Sequence, residues 1–112
     1  MANFYKNAFY DPTVTTVTTV YTCPANANAI VQNIQVTNES GSKIVKASIY
    51  DSNVTTVFQV AYANITGPTI CNLAKGPIIL EENDTLRLES SDVSGISATA
   101  SILEISREDQ NG

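Results

Sequence analysis

The 112-residue chain has no histidine and no tryptophan, and only two cysteines and five glycines. Without histidine it lacks the commonest general base, the usual partner of a nucleophilic serine or cysteine, and the most versatile metal ligand. Most hydrolase chemistries are thereby excluded. The glycines stand singly, and neither G-x-G-x-x-G nor G-x-x-x-x-G-K occurs, so nothing supports nucleotide binding. Cys23 and Cys71 are too few for a disulfide scaffold. Each sits in an apolar, strand-like run and reads as a packed free thiol. The alternative, a bond between them, would contribute roughly 4 kcal/mol on the chain-entropy model. The missing tryptophan also weakens a sugar-binding platform built on Tyr50, Phe58 and Tyr62, which read instead as core residues.

Charge is scarce as well. Charged residues make up 15% of the chain and hydrophobic ones 43%, against roughly 25% charged in ordinary soluble domains. The net charge of -5 discourages approach to phosphate backbones or anionic lipid, so nucleic acid and membrane are poor partners. Met1 is followed by Ala-Asn-Phe-Tyr rather than a basic start and an apolar run, and no stretch reaches membrane-spanning length. The expectation is a soluble chain without an export signal, of a length that suits one hydrophobic core.

What is present is strand-forming sequence: thirteen threonines and many valines and isoleucines, without the Ala-Leu-Glu-Lys faces of helices. In 29–37 Ile30, Ile34 and Val36 are expected on one face, before a turn at "NESGS". Residues 43–50 and 54–63 read as a hairpin, with Val54, Phe58, Val60 and Tyr62 sharing a face. Short strands follow at 70–74, 78–81, 85–90 and 96–105, separated by turn residues. With 13–22 this makes about eight strands and predicts an all-β, single antiparallel β-sandwich, jelly-roll-like. Residues 1–12 hold Phe4, Tyr5, Phe9 and Tyr10, half of the aromatics, and read as an N-terminal arm. Residues 13–105 form the sandwich domain, and 106–112 a polar C-terminal tail.

The acidic cluster Glu81, Glu82, Asp84, Glu89 and Asp92 invites a calcium site or a glycosidase pair. A turn explains it better, with Asn83 in the left-handed conformation and Asp84 capping backbone amides. Four N-x-[ST] triplets, at Asn38, Asn53, Asn64 and Asn83, suit chance in so Asn- and Thr-rich a chain, glycan attachment being the alternative. No catalytic residue, cofactor or metal is expected.

The run "TVTTVTTVYT" (13–22) has valines at a spacing of three, which fits neither strand nor helix. No charged residue occurs from 12 to 38, nor from 52 to 74. Soluble monomers protect sheet edges with Lys, Glu, Pro or bulges, and this run has none. Read with period two, both of its faces are moderately apolar, as in a strand covered by its own sheet and by a neighbour's. Residues 1–22 are therefore expected at a subunit interface, with Phe4, Tyr5, Phe9 and Tyr10 anchoring and Val14, Val17 and Val20 lining the contact. A plain sandwich strand with threonines facing water is the alternative.

Residues 20–42 and 78–105 resemble small virion structural proteins of tailed bacteriophages, notably marine and cyanobacterial ones. Val20, Tyr21, Thr22, Pro24 and Ala25 match an opening Val-Tyr-Thr-x-Pro-Ala motif, and Asn38 a strand closing on Thr-Asn. Leu80, Glu81, Asp84 and Leu86 match a Leu-Glu-x-Gly-Asp-x-Leu turn, where Asn83 replaces glycine, and Leu103, Glu104 and Ile105 match a closing Leu-Glu-Ile strand. The resemblance implies a non-enzymatic β-sandwich made in the host cytoplasm and located on the virion. Such a protein decorates or cements the capsid, often as a homotrimer, with itself and the major capsid protein as partners. A tail, baseplate or fibre component is the first alternative. A carbohydrate-binding adhesion module is the second.

Overall fold

The computed structural model describes residues 2–107, which form nine strands and, among the described residues, no helix. In chain order the strands are β1 (Ala2–Tyr10), β2 (Thr18–Thr22), β3 (Ala27–Asn38), β4 (Ser42–Asp51), β5 (Thr56–Thr66), β6 (Thr69–Asn72), β7 (Ile78–Leu80), β8 (Thr85–Ser90) and β9 (Ile96–Ser106). One sheet runs β1-β9-β3-β6 with β7 also on β3, and the other runs β2-β8-β4-β5, all antiparallel. Across the sandwich β1 meets β2 and β5 meets β6. The fold is the expected antiparallel β-sandwich, with β1 and β2 along one long side and β5 and β6 along the other.

The extra strand is the expected arm. Residues 2–10 alternate well enough to pair in unbroken register with β9, and Ala8 and Tyr10 enter the core. An edge strand that pairs along its whole length and buries Ala8 and Tyr10 is a better solution than a free arm carrying four aromatics. The polar tail, beyond Arg107, lies outside the described residues. The run 13–22 is strand only from Thr18 onward, because 11–17 must cross from one sheet to the other. A bulge between Thr19 and Tyr21 then lets the consecutive Val20 and Tyr21 both pack on the core.

Two further bulges move side chains that simple alternation misplaces. One between Val31 and Asn33 leaves Ala29, Val31, Ile34 and Val36 fully buried and puts Ile30 on the outer face, not with Ile34 and Val36. The other, at Val60 against Ala47 and Ser48, pairs Phe58 with inward-pointing Ile49 and Tyr62 with outward-pointing Lys46, so these aromatics do not share a face. Nor are they core: Phe58 and Tyr62 are exposed, and Tyr50 lies under the Arg87 guanidinium, 4.7 Å from its ring centre. The core instead comes from aliphatic side chains, among them Ile34, Leu80, Leu86, Leu88 and Ile102, each 1% exposed or less. Burial of each contributes about 1.5–3 kcal/mol.

Polar groups fix the ends. Buried Asn38 donates to the carbonyls of Gly41 (2.9 Å) and Ile65 (3.0 Å) and accepts from the buried Lys43 ammonium (2.7 Å). Its amide is fully used, so the triplet at Asn38 has no room for a glycan. The corner after β5 packs so tightly that a Cβ on Gly67 would lie 2.6 Å from the Ser40 nitrogen.

Cys23 and Cys71 are free thiols, Cys23 buried and Cys71 half-buried. Burial, then the charges of Glu104 and Asp84, push the Cys23 thiol up to about 11 from 9.0. A folded-state pKa above the unfolded value means stability that is complete below pH 9 and is lost as pH rises through 11, about 2 kcal/mol of it by pH 11. Urea unfolding should therefore weaken by about that amount more between pH 8 and 11 in the wild type than in Cys23→Ala. Parallel pH profiles would contradict this.

Candidate assembly surface

Strand register defines a surface that no single stretch of sequence displays. On the outer face of the β1-β9-β3-β6 sheet, Tyr5 stands opposite Leu103, Leu103 opposite Ile30, and Ile30 opposite Ile79, an apolar row across four strands. Asn7, Ser101 and Asn33 form the neighbouring row, followed by Phe9, Thr99, Gln35 and Asn72, and then Ser97, Thr37 and Ile70. None of these outward side chains is charged. Tyr5 is 79% exposed, Phe9 72% and Ile70 65%, so large apolar groups stand in water with polar, uncharged neighbours. Such a face recognises by shape, apolar contact and amide or hydroxyl hydrogen bonds, without long-range steering.

The opposite sheet differs. Its outer face carries Lys46 beside Glu89 and Arg87 beside Thr85, with the Lys46 ammonium 5.9 Å from the Tyr62 ring centre. That face is charged and hydrated. The long sides differ again: β5 has no charged residue in its eleven positions and leaves Val57, Val60 and Tyr62 exposed. At the neighbouring edge, Thr37, Asn38, Glu39, Pro68, Thr69 and Ile70 line an open, mainly apolar groove of about 560 Å³.

The expected interface residues divide. Tyr5 and Phe9 lie together on the uncharged face, and Phe4 is half-exposed on the same strand with its side chain on the inner side, opposite Glu104. Val14 and Val17 are exposed in the crossing segment. Tyr10 and Val20 pack inward, and burial raises the Tyr10 hydroxyl above the ordinary tyrosine value, helped by the Glu89 charge. Ile30, Leu103, Ile79 and Ile70 complete the surface without having been expected there. Only the bulge in β3 turns Ile30 outward, and a bulge leaves no clear mark in the sequence.

The acidic cluster is a structural turn. Asn83 has φ +67°, and buried Asp84 accepts from the Glu81 and Ser52 amides at 2.9 and 3.1 Å. Glu82 meets Arg107, and Asp92 caps the amides of Val93 and Ser94, which lowers its pKa. Among the described residues no group of three or more His, Cys, Asp or Glu could hold a metal ion, and no helix is long and apolar enough to cross a membrane.

The chain matches no protein-family model and no curated protein. Its fold recurs in solved structures. It aligns with a chain of infectious bursal disease virus, Gt strain, over 94% of its own length and 30% of that chain, at 12% identity and a TM-score of 0.52. The Gx strain gives 93% and 29%, with 13% identity and a TM-score of 0.50. The present chain thus spans about a third of those viral chains and shares a β-sandwich fold with them. A pentameric capsid protein isolated from metagenomic phage sequences aligns over 92% of this chain and 60% of its own, with 18% identity and a TM-score of 0.42; that likeness carries no argument.

Proposed function

We propose that this chain is a virion structural protein, one that decorates the outer surface of a capsid as a homotrimer and stiffens the head against internal pressure. The observation that carries this reading is the sheet face with no outward charge, crossed by the Tyr5–Leu103–Ile30–Ile79 row, on a chain of net charge -5. Water-exposed apolar rows on a sheet are a liability unless another protein covers them. Assembly turns that liability into binding, while the acidic remainder keeps the free chain soluble. The shared sandwich fold of a virus structure and the resemblance to phage virion proteins lend support. The major capsid protein is the second partner in this scheme.

The test is particle survival. Virions lacking the protein should release DNA at a lower temperature, or at a higher residual salt concentration during dilution, than complete ones, and adding the purified chain back should restore them. Equal survival rejects the cement role. Antibody labelling of tails rather than heads would move the protein to the tail, baseplate or a fibre.

A further inference from the structure

We infer that two copies of this chain pair antiparallel along β1, the two-fold axis passing at Asn7, so that Tyr5 of each copy lies against Phe9 of the other. This goes beyond the decoration reading, since a two-fold contact doubles whatever unit it joins, single chains into dimers or trimers into hexamers. β1 is the outermost strand of its sheet, where it pairs with β9 alone. It runs nine residues in unbroken register, with no bulge and no proline, so its outer edge is a straight row of backbone donors and acceptors. An antiparallel strand satisfies such a row, and a second β1 supplies one of the same length.

Residues directly opposite each other share a face, so a two-fold pairing of β1 with itself must centre on one residue. Centring on Asn7 sets Tyr5 against Phe9 twice on the outer face, and sets the Asn7 amide, donor and acceptor at once, against its own copy. Tyr5 is 79% exposed and Phe9 72%, and rings that stand in water on one chain become cross-strand aromatic pairs, a favoured kind. On the inner side, half-exposed Phe4 comes against Tyr10 and Lys6 against Ala8. The apolar row of Ile79, Ile30, Leu103 and Tyr5 then runs on across the seam to Phe9 of the second copy.

Charge permits this register and rejects its neighbours. The Lys6 ammonium turns to the inner side and lies 3.1 Å from each Glu104 oxygen, so each copy brings a compensated pair to the seam rather than a free charge. Asp11, one residue beyond β1, falls opposite Asn3 of the second copy, an uncharged amide. Centring on Lys6 would face two ammonium groups, and centring on Ala8 would put Asp11 against Tyr5. Centring on Tyr5 carries Phe9 past the end of the opposite strand.

Cysteine placement reads the axis. In a Cys71→Ser background, Asn7→Cys should oxidise to a disulfide-linked dimer, because its two copies stand directly opposite. Asn3→Cys, whose copies lie roughly 27 Å apart along the strands, should stay single. Side-chain charge reads the register. Tyr5→Lys and Phe9→Glu, both at exposed positions and each checked for a wild-type circular dichroism spectrum, should each raise the dissociation constant seen in sedimentation at least about tenfold. The double variant should associate at least about threefold more tightly than either single one, since opposite charges then meet twice across the seam. A wild type that does not self-associate, crosslinking of both cysteine variants or of neither, single variants that associate like the wild type, or a double variant no tighter than the singles would overturn the inference. A chain that does not pair yet protects virions would defeat this inference and leave the decoration role standing. Pairing that passes these tests in a protein whose loss leaves virions unharmed would do the reverse.

Discussion

Replacing Asp84 with alanine is expected to lower stability by about 3 kcal/mol, because three donors lose one acceptor at once. The carboxylate is 3% exposed and takes hydrogen bonds from the Glu81 amide (2.9 Å), the Ser52 amide (3.1 Å) and the Ser52 hydroxyl (3.3 Å). These join the turn before β8 to the start of the β4–β5 connection. The same turn holds the segment after β2, through the Cys23 amide on the Asp84 carbonyl (2.9 Å) and the Asn83 amide on the Cys23 carbonyl (2.8 Å). Alanine keeps those backbone bonds and orphans the side-chain donors. Asparagine still accepts from Ser52 but turns an N–H toward the Glu81 amide, so its cost should be intermediate. Urea denaturation measures both. A loss below about 1 kcal/mol for Asp84→Ala, at an unchanged denaturant slope, would mean that solvent satisfies those donors.

The second large effect concerns the polar group that ties the two sheets along the β1–β2 side. Glu104, 5% exposed on β9, accepts from the Tyr21 hydroxyl of β2 at 2.6 Å and from the Lys6 ammonium of β1 at 3.1 Å to each oxygen. Burial, reinforced by the Glu104 hydrogen bond and charge, raises the Tyr21 hydroxyl far above the ordinary tyrosine value. Tyr21→Phe should cost about 2–3 kcal/mol, since the buried carboxylate then loses its short charge-assisted bond. Lys6 alone compensates it weakly, being half in water. Adding Glu104→Leu and Lys6→Met should recover at least half of the loss, because the desolvated charge itself is then gone. A triple variant no more stable than Tyr21→Phe would show that packing, not charge compensation, dominates at this site.

The opening run illustrates how far patterns reach. Valines at 14, 17 and 20 predict a strand over 13–22 covered on both faces. The structure resolves it into a crossing segment, 11–17, followed by a bulged strand in which Val20 and Tyr21 are both inward. The interface residues expected over 1–22 divide accordingly, with Tyr5 and Phe9 on the outer face, Val14 and Val17 exposed in the crossing segment, Tyr10 in the core and Val20 partly buried against it. The turn at 81–84 was legible where its chemistry is local, Asn83 supplying a left-handed residue and Asp84 capping the amide three positions back, whereas the two bonds from Ser52, 32 residues away, were not. Glu104 gave no such signal. Its partners are 83 and 98 residues away in the chain.

By itself the sequence determined the class of architecture, since threonine, valine and isoleucine in short runs between turn residues cannot bury enough surface as anything but stacked sheets. It also determined the lack of histidine chemistry and the two uncharged spans. Only the tertiary structure decided which side chains face out. Each strand bulge reverses the facing of every residue beyond it, and bulges are set by how partner strands must twist and pack. Tyr5, Ile30, Ile79 and Leu103, spread over the whole chain, therefore become one surface through pairing register alone.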